Sequence, residues 1–168
     1  MRLRVNTAEL RRIAGTEKHL DGDIEPAAVG IADDRLVPGA PIHVDLLLES
    51  VNDGVLVTGT VAATWHGECR RCLEPAGDRV VAPIDERYQY EVTDPDAFPI
   101  EHDQIDLVPL VRETVLLELP DAPLCRADCA GLCPTCGTNL NTGSCDCASP
   151  AGDARWGALD DLKRQLEG

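Results

Sequence analysis

The chain has 168 residues and a formal net charge of -15, from 30 acidic side chains against 15 basic ones. That balance argues against general binding to nucleic acid or to an anionic membrane, which both need lysine and arginine against phosphate, and suits a basic protein partner. Hydrophobic residues make up 43% and aromatics only 3%, so the core of one domain, with room for a small appended module, is to be built from aliphatic side chains.

The start, Met1-Arg2-Leu3-Arg4-Val5-Asn6, has no apolar stretch of the secretory kind. No run of about 18 apolar residues follows, so no membrane span is expected. The eight cysteines are therefore expected as reduced thiols in a cytoplasmic protein, with disulfides the weaker reading. The first twenty residues hold Arg2, Arg4, Arg11, Arg12 and Lys18 against Glu9 and Glu17, a small basic end on an acidic body.

Asn6, with Glu9 three residues on, reads as a capping box opening a short helix over Leu10, Ile13 and Ala14 that Gly15 ends. Residues 17–40 read as irregular, broken by Gly22, Pro26, Gly30, Pro38 and Gly39, with short extended pieces around 27–31. Ile42, Val44, Leu46 and Leu48 alternate with His43, Asp45 and Leu47, the strand period. Asp53-Gly54 marks a hairpin turn, and 55–66 runs back as a second strand. Cys69-Arg-Arg-Cys72 makes the next reversal. A third long strand is expected over 79–92, with Tyr88, Tyr90 and Val92 on one face and Pro83 marking an edge or bulge. Residues 93–104 form an acidic loop. Asp106 caps a helix through about Leu119, with Pro109 in its first turn and Pro120 stopping it. Its packing face is expected to carry Val108, Val111 and Val115 with Leu107, Leu110 and Leu117. Beyond the cysteines, Trp156, Leu159, Leu162 and Leu166 at helical spacing predict a last helix over 155–166.

The expected fold is therefore α+β. A curved antiparallel sheet over about 27–92 carries a packed long helix, then a cysteine-rich zinc module and a short C-terminal helix. The expected division is 1–120, 121–148 and 149–168.

Six of the eight cysteines lie between Cys125 and Cys147. Cys133-Pro-Thr-Cys136-Gly aims two thiolates at one point, and Cys145-Asp-Cys147 can complete a tetrahedral S4 set, the geometry of structural zinc. Two partitions stand. In the preferred one, Cys133, Cys136, Cys145 and Cys147 hold one ion, while Cys69, Cys72, Cys125 and Cys129 hold another. In its rival, one ion takes four of the six clustered cysteines and leaves Cys69 and Cys72 free. Residues 125–147 contain few apolar side chains and should not hold together without metal. The Cys129, Cys133, Cys136 spacing matches the cluster triplet of radical enzymes that cleave S-adenosylmethionine, but too few residues follow it for a barrel of about 200 or more. A simple iron–sulfur carrier is a further reading. Four thiolates leave no open position for catalytic water, so no enzymatic activity and no small-molecule substrate are expected. His19, His43, His66 and His102 are scattered; His66, three residues before Cys69, is a candidate ligand better read as a strand-end residue. Glu101, Asp103 and Asp106 form a carboxylate cluster that a loop and a helix cap explain. Arg70 and Arg71, inside the first Cys-x-x-Cys, either stabilise the thiolates or contact RNA phosphate.

The ordered set resembles the bacterial YceD family, the large-subunit ribosomal RNA accumulation proteins. It comprises Cys69-Arg-Arg-Cys72-Leu-Glu-Pro, Asp106-Leu with a helix ending Leu119-Pro120, Cys125-x3-Cys129-Ala-Gly-Leu-Cys133-Pro-Thr-Cys136-Gly-Thr-Asn-Leu-Asn, Cys145-Asp-Cys147, and Asp153-Ala-Arg-Trp-x-x-Leu-x-x-Leu. The resemblance covers the whole chain. It implies a small non-enzymatic protein tied to accumulation of 23S ribosomal RNA, with metal-binding and nucleic-acid-binding properties. Members vary in how many of the later cysteines they hold. With the acidity, the first expectation is action at the assembling large subunit, on a pre-ribosomal particle, through a basic ribosomal protein. Direct RNA contact by Arg70, Arg71 and the N-terminus is the second. A zinc-stabilised interaction module without a ribosomal role is the third.

Overall fold

The computed structural model describes residues 1–147 together with Leu159 and Lys163. The fold is α+β. Its organising element is the hairpin that the alternation predicts. Strand β3 (Ile42–Val51) buries every second residue, and Ile42, Val44, Leu46 and Leu48 are each fully buried. A one-residue slip would turn that entire set to solvent, so the burial fixes the register. Asn52-Asp53 closes the turn, Val51 pairs with Gly54, and β4 (Gly54–Glu68) returns.

Strand β4 pairs along its whole length with β5 (Pro75–Gln89), from Gly54 opposite Gln89 to Glu68 opposite Pro75. Pairing of β4 with β3 stops at Ala62, so the β4–β5 arm runs on beyond the sheet. There the 35–37 segment lies against it, with Val37 N–H donating to Thr64 O at 3.0 Å and His66 N–H to Arg35 O at 2.8 Å. The arm ends in the tip formed by residues 69–74, which carries the first cysteine pair. Pro83 sits where the outer edge of β5 has no strand beside it, because the short parallel β6 (Phe98–Pro99) pairs only with Tyr88 and Gln89. A missing N–H costs nothing on that open edge.

Several expectations need correction. The sheet is not wholly antiparallel, since β6 is parallel to β5 and lies in the segment expected as a loop. Residues 17–24 are not irregular: they form β2 (Glu17–Ile24), an edge strand paired antiparallel with β3. Residues 26–29 form a 3-10 turn rather than an extended piece. Near the N-terminus, Arg4–Asn6 is β1, paired with β7 (Gln104–Asp106), and only a single 3-10 turn at Leu10–Arg12 follows. Asn6 Oδ1 does accept from Ala8 N–H at 2.9 Å, but it ends a strand, and Ile13 is exposed. The third strand begins earlier and ends at Gln89; of its expected face Tyr88 is buried, while Val92 lies outside it, exposed.

Helix α1 (Val108–Glu118) carries Pro109 in its first turn. Asp106 Oδ1 accepts from Val108 N–H at 3.0 Å. Leu107, Leu110, Val111, Val115 and Leu119 are buried, and the helix touches β4, β5 and the Pro26–Val29 turn. Leu117 is not part of that face; it is 86% exposed. Among the described residues no helix is long and apolar enough to cross a membrane. The expected C-terminal helix over 155–166 lies outside the described residues apart from Leu159 and Lys163, both helical.

Candidate metal centre

Two Cys-x-x-Cys turns share one backbone design. In the first, at the β4–β5 tip, Leu73 N–H donates to Cys69 O at 2.8 Å and Cys69 N–H to Glu74 O at 2.8 Å. In the second, Gly137 N–H donates to Cys133 O at 2.9 Å and Cys133 N–H to Thr138 O at 2.8 Å. Each turn points its two sulfurs to the same side and leaves the residue after the second cysteine left-handed, with φ of 62° at Leu73 and 74° at Gly137.

The eight sulfurs fall into two groups of four. Cys69, Cys72, Cys125 and Cys129 form one, and Cys133, Cys136, Cys145 and Cys147 the other; within each, all sulfurs lie within 4.8 Å of one another. This grouping is the preferred of the two partitions. In the first tetrad Cys69 and Cys129 sulfurs are 3.7 Å apart and those of Cys72 and Cys125 3.6 Å. Four sulfurs at about 2.3 Å from a shared ion have edges of about 3.8 Å, so the donor set fits a tetrahedral metal ion.

The groups differ in setting. Cys69, Cys72 and Cys129 are buried and pack with Ala76, Leu124 and Leu132 into a small second core. In the second group only Cys133 is buried, and Cys136 and Cys147 are exposed. Residues 123–132 are tied to the tip by backbone bonds, Arg70 N–H to Pro123 O at 2.9 Å and Leu132 N–H to Arg71 O at 3.0 Å. Gly131 crosses there with φ of 77°, and a Cβ would come within 3.1 Å of Arg71 O, which is why a left-handed glycine occupies the position.

Within each tetrad two thiols are held down and two are pushed up. Burial alone would raise Cys69, but N–H donors of Cys125, Arg71 and Cys72 outweigh it and bring it to about 6. Cys129 is lowered against its burial by the Asn141 side chain and the Gly131 N–H. Burial and the neighbouring sulfurs push Cys125 up to about 12. In the second group the Thr138 hydroxyl and N–H bring Cys136 down to about 6, and Cys136 in turn helps push Cys147 up to about 11. Sulfurs this close oppose one another's ionisation, so the thiols of a group move apart; a divalent ion bound between them would favour the deprotonated form of all four.

The arginines of the first turn have different surroundings. Arg71 Nη1 donates to Cys129 O at 3.0 Å, clamping the module to the tip, while Arg70 is exposed. None of the four histidines joins either group. His19 and His43 lie on the sheet surface beside Asp45 and Asp23, at 2.6 and 2.9 Å. His66 is an exposed residue of β4. His102 sits with Asp103 in a tight left-handed turn. The carboxylate cluster is used locally: Asp103 pairs with Arg11 and Asp106 with Arg4.

Two polar residues at the sulfurs escaped the sequence reading. The Thr138 hydroxyl lies 3.1 Å from Cys136 Sγ, and Asn141 Nδ2 donates to Cys129 Sγ at 3.4 Å. Both stand in the turn-rich loop between Cys136 and Cys145; Thr138, two residues after Cys136, is the one that a hydroxyl beside a ligand pair could have flagged.

Residues 57–163, a span that holds all eight cysteines, match the family described as large ribosomal RNA subunit accumulation protein YceD. The chain belongs to this family. An uncharacterized protein of Mycobacterium tuberculosis is 39% identical over 172 residues, covering 94% of this chain and 80% of that protein. An uncharacterized Mycobacterium leprae protein is 42% identical over 109 residues, 61% of this chain and 50% of its own. The large ribosomal RNA subunit accumulation protein YCED homolog 1, chloroplastic, of Arabidopsis thaliana is 37% identical over 70 residues, 42% of this chain and 22% of its own. No solved structure matches the chain.

Proposed function

We propose that this YceD protein is a non-enzymatic accessory of large ribosomal subunit assembly, stabilised by two structural zinc ions, that supports accumulation of 23S ribosomal RNA through a basic ribosomal protein. Family membership supports the ribosomal role. The observation that supports the metal reading is the pair of all-cysteine tetrads, with sulfur spacings of 3.6 and 3.7 Å in the first. When bound, zinc would cross-link the β4–β5 tip to the segment after α1. With four thiolates per ion no coordination position is left for substrate or water.

The protein-partner reading is favoured over direct RNA contact by where the basic side chains go. Arg4 and Arg11 of the basic N-terminus are paired with Asp106 and Asp103, and Arg71 is spent on Cys129 O. A net charge of -15 repels phosphate at long range and draws a basic protein.

The test is threefold. Protein purified without added metal should hold close to two zinc ions per chain and be colourless; stoichiometric iron with visible absorbance would replace zinc by a cluster. Cells depleted of the protein should lose 23S ribosomal RNA, and crosslinking should recover a basic large-subunit protein. Naked 23S fragments should bind weakly at moderate salt. Tight binding lost on changing Arg70 and Arg71 would promote the RNA reading, and recovery of no ribosomal component would favour an interaction module of another system.

A further inference from the structure

The segment that separates the two tetrads is folded back on itself. Leu132 and Asn139 form an antiparallel bridge, and Leu140 N–H donates to Gly131 O at 2.9 Å. One limb has Cys129 at its start and Cys133 at its end, so it carries a sulfur of each tetrad. The facing limb carries Thr138 beside Cys136 and Asn141 beside Cys129. The loop that the second tetrad closes therefore delivers an amide to the first.

The orientation of that amide is determined by its partners. Asn141 Oδ1 receives the N–H of Ala130 at 2.8 Å and Arg126 Nη2 at 2.8 Å. Both can only donate, so the atom facing them is the oxygen. The other end is then the NH2 group, which reaches Asn139 Oδ1 at 2.9 Å and Cys129 Sγ at 3.4 Å. Cys129 is buried against Leu132 and Leu124. Four thiolates around a divalent ion leave an excess of negative charge, which in an apolar setting must be met by N–H donors.

Building on the metal-binding reading above, we infer that Asn141 is a positioning residue for the ion held by Cys69, Cys72, Cys125 and Cys129, and that through it occupation of the second tetrad strengthens the first. An ion shared by Cys133, Cys136, Cys145 and Cys147 pins both ends of the loop that holds Asn141. The cost of ordering the amide is then met before the first tetrad fills, and linkage makes the effect mutual. The reading explains why Asn141 is anchored on three sides.

Titration of the full-length apo chain with cadmium-113, followed by NMR, resolves one resonance per tetrad and tests this directly. Asn141→Asp keeps both acceptor contacts and replaces the donor by an oxygen. It should lower cadmium affinity at the first tetrad by about tenfold or more and leave the second resonance unmoved, which also shows that the variant folds. Cys145→Ser with Cys147→Ser should weaken the first tetrad too, and adding N141D to that pair should cost less than it does alone. Unchanged first-tetrad affinity in N141D, with both tetrads filling in the parent, overturns the role of Asn141 and leaves the metal reading intact. Full additivity overturns the coupling. A parent chain that takes up no metal overturns the metal reading and this inference with it.

Discussion

Leu73 occupies in one Cys-x-x-Cys turn the place that Gly137 occupies in the other. Each follows the second cysteine, each donates its N–H to the first cysteine's carbonyl, and each is left-handed, with φ of 62° and 74°. The backbone bond is the same; the side chain is not. For leucine that conformation brings Cβ against the following carbonyl and costs roughly 1–2 kcal/mol, and little burial offsets it, since Leu73 is 62% exposed.

Replacing Leu73 with glycine should therefore raise stability by about 0.5–1 kcal/mol, the relief of strain less the greater freedom of glycine in the unfolded chain. Leu73→Val should lower it, because a β-branched residue tolerates the left-handed region less well. Urea unfolding of the zinc-loaded chain reads both. A loss of stability in the glycine variant would mean that the exposed leucine packs against something in the protein's working state.

Gly54 is the second point where the backbone leaves no room. A Cβ there would lie 1.8 Å from Tyr88 O, at the first pair of the longest ladder in the sheet. Gly54→Ala must part β4 from β5 where Gln89, buried itself, donates to Asp53 Oδ2 at 2.7 Å and accepts from Thr93 N–H at 3.0 Å. We expect a loss of about 3 kcal/mol or more, measured as a fall in thermal midpoint, and a soluble variant with an unchanged midpoint would contradict the observed strand spacing.

These cases show what the sequence makes visible. Strand β3 is legible because one face is buried, so Ile42, Val44, Leu46 and Leu48 alternate with half-buried neighbours. Strand β2 is not, because as an edge strand it buries only Ile24 and pairs through backbone groups that carry no side-chain pattern. The capping-box reading at Asn6 names the right oxygen but the wrong element: Arg4–Asn6 becomes a strand only because Gln104–Asp106 comes to it from a distant part of the chain. The tetrads were legible because eight thiols in short-spaced pairs allow few groupings. Asn141 was not, since its role depends on which way an amide points.

Arg35 clamps the 33–36 segment to the end of α1. Its Nε and Nη2 grip Asp33 at 3.0 and 2.8 Å, and Nη1 reaches Asp121 Oδ1 at 3.0 Å and Leu119 O at 3.4 Å. The Arg35 side chain, then its N–H, hold the Asp33 carboxyl below the ordinary aspartate range. A carboxyl lowered in the folded state adds stability above its unfolded value, and that stability fades as pH falls through the folded value. Asp33→Asn should cost about 1 kcal/mol at neutral pH and progressively less as pH falls through the folded-state value, where the parent loses the same contribution. Urea midpoints for parent and variant across that range make the comparison; a pH-independent difference would assign the effect to packing instead.

The two tetrads should also come apart in sequence when metal is withdrawn. The second has Cys136 and Cys147 exposed, while the first has three of its four cysteines buried beneath Leu124 and Leu132. A chelator should therefore strip the second ion first. Each structural ion supplies on the order of 10 kcal/mol to the segment it organises, and residues 121–147 have little apolar core of their own, whereas the sheet and α1 share a large one. Hydrogen exchange followed during chelation should show amides of 133–147 lose protection first, then 121–132 with the 69–74 tip, while β3 and the first half of β4 stay protected. Loss of β3 protection in step with 133–147 would show that the metal supports the whole fold, and unchanged protection across 121–147 would show that the cysteine segment does not depend on metal at all.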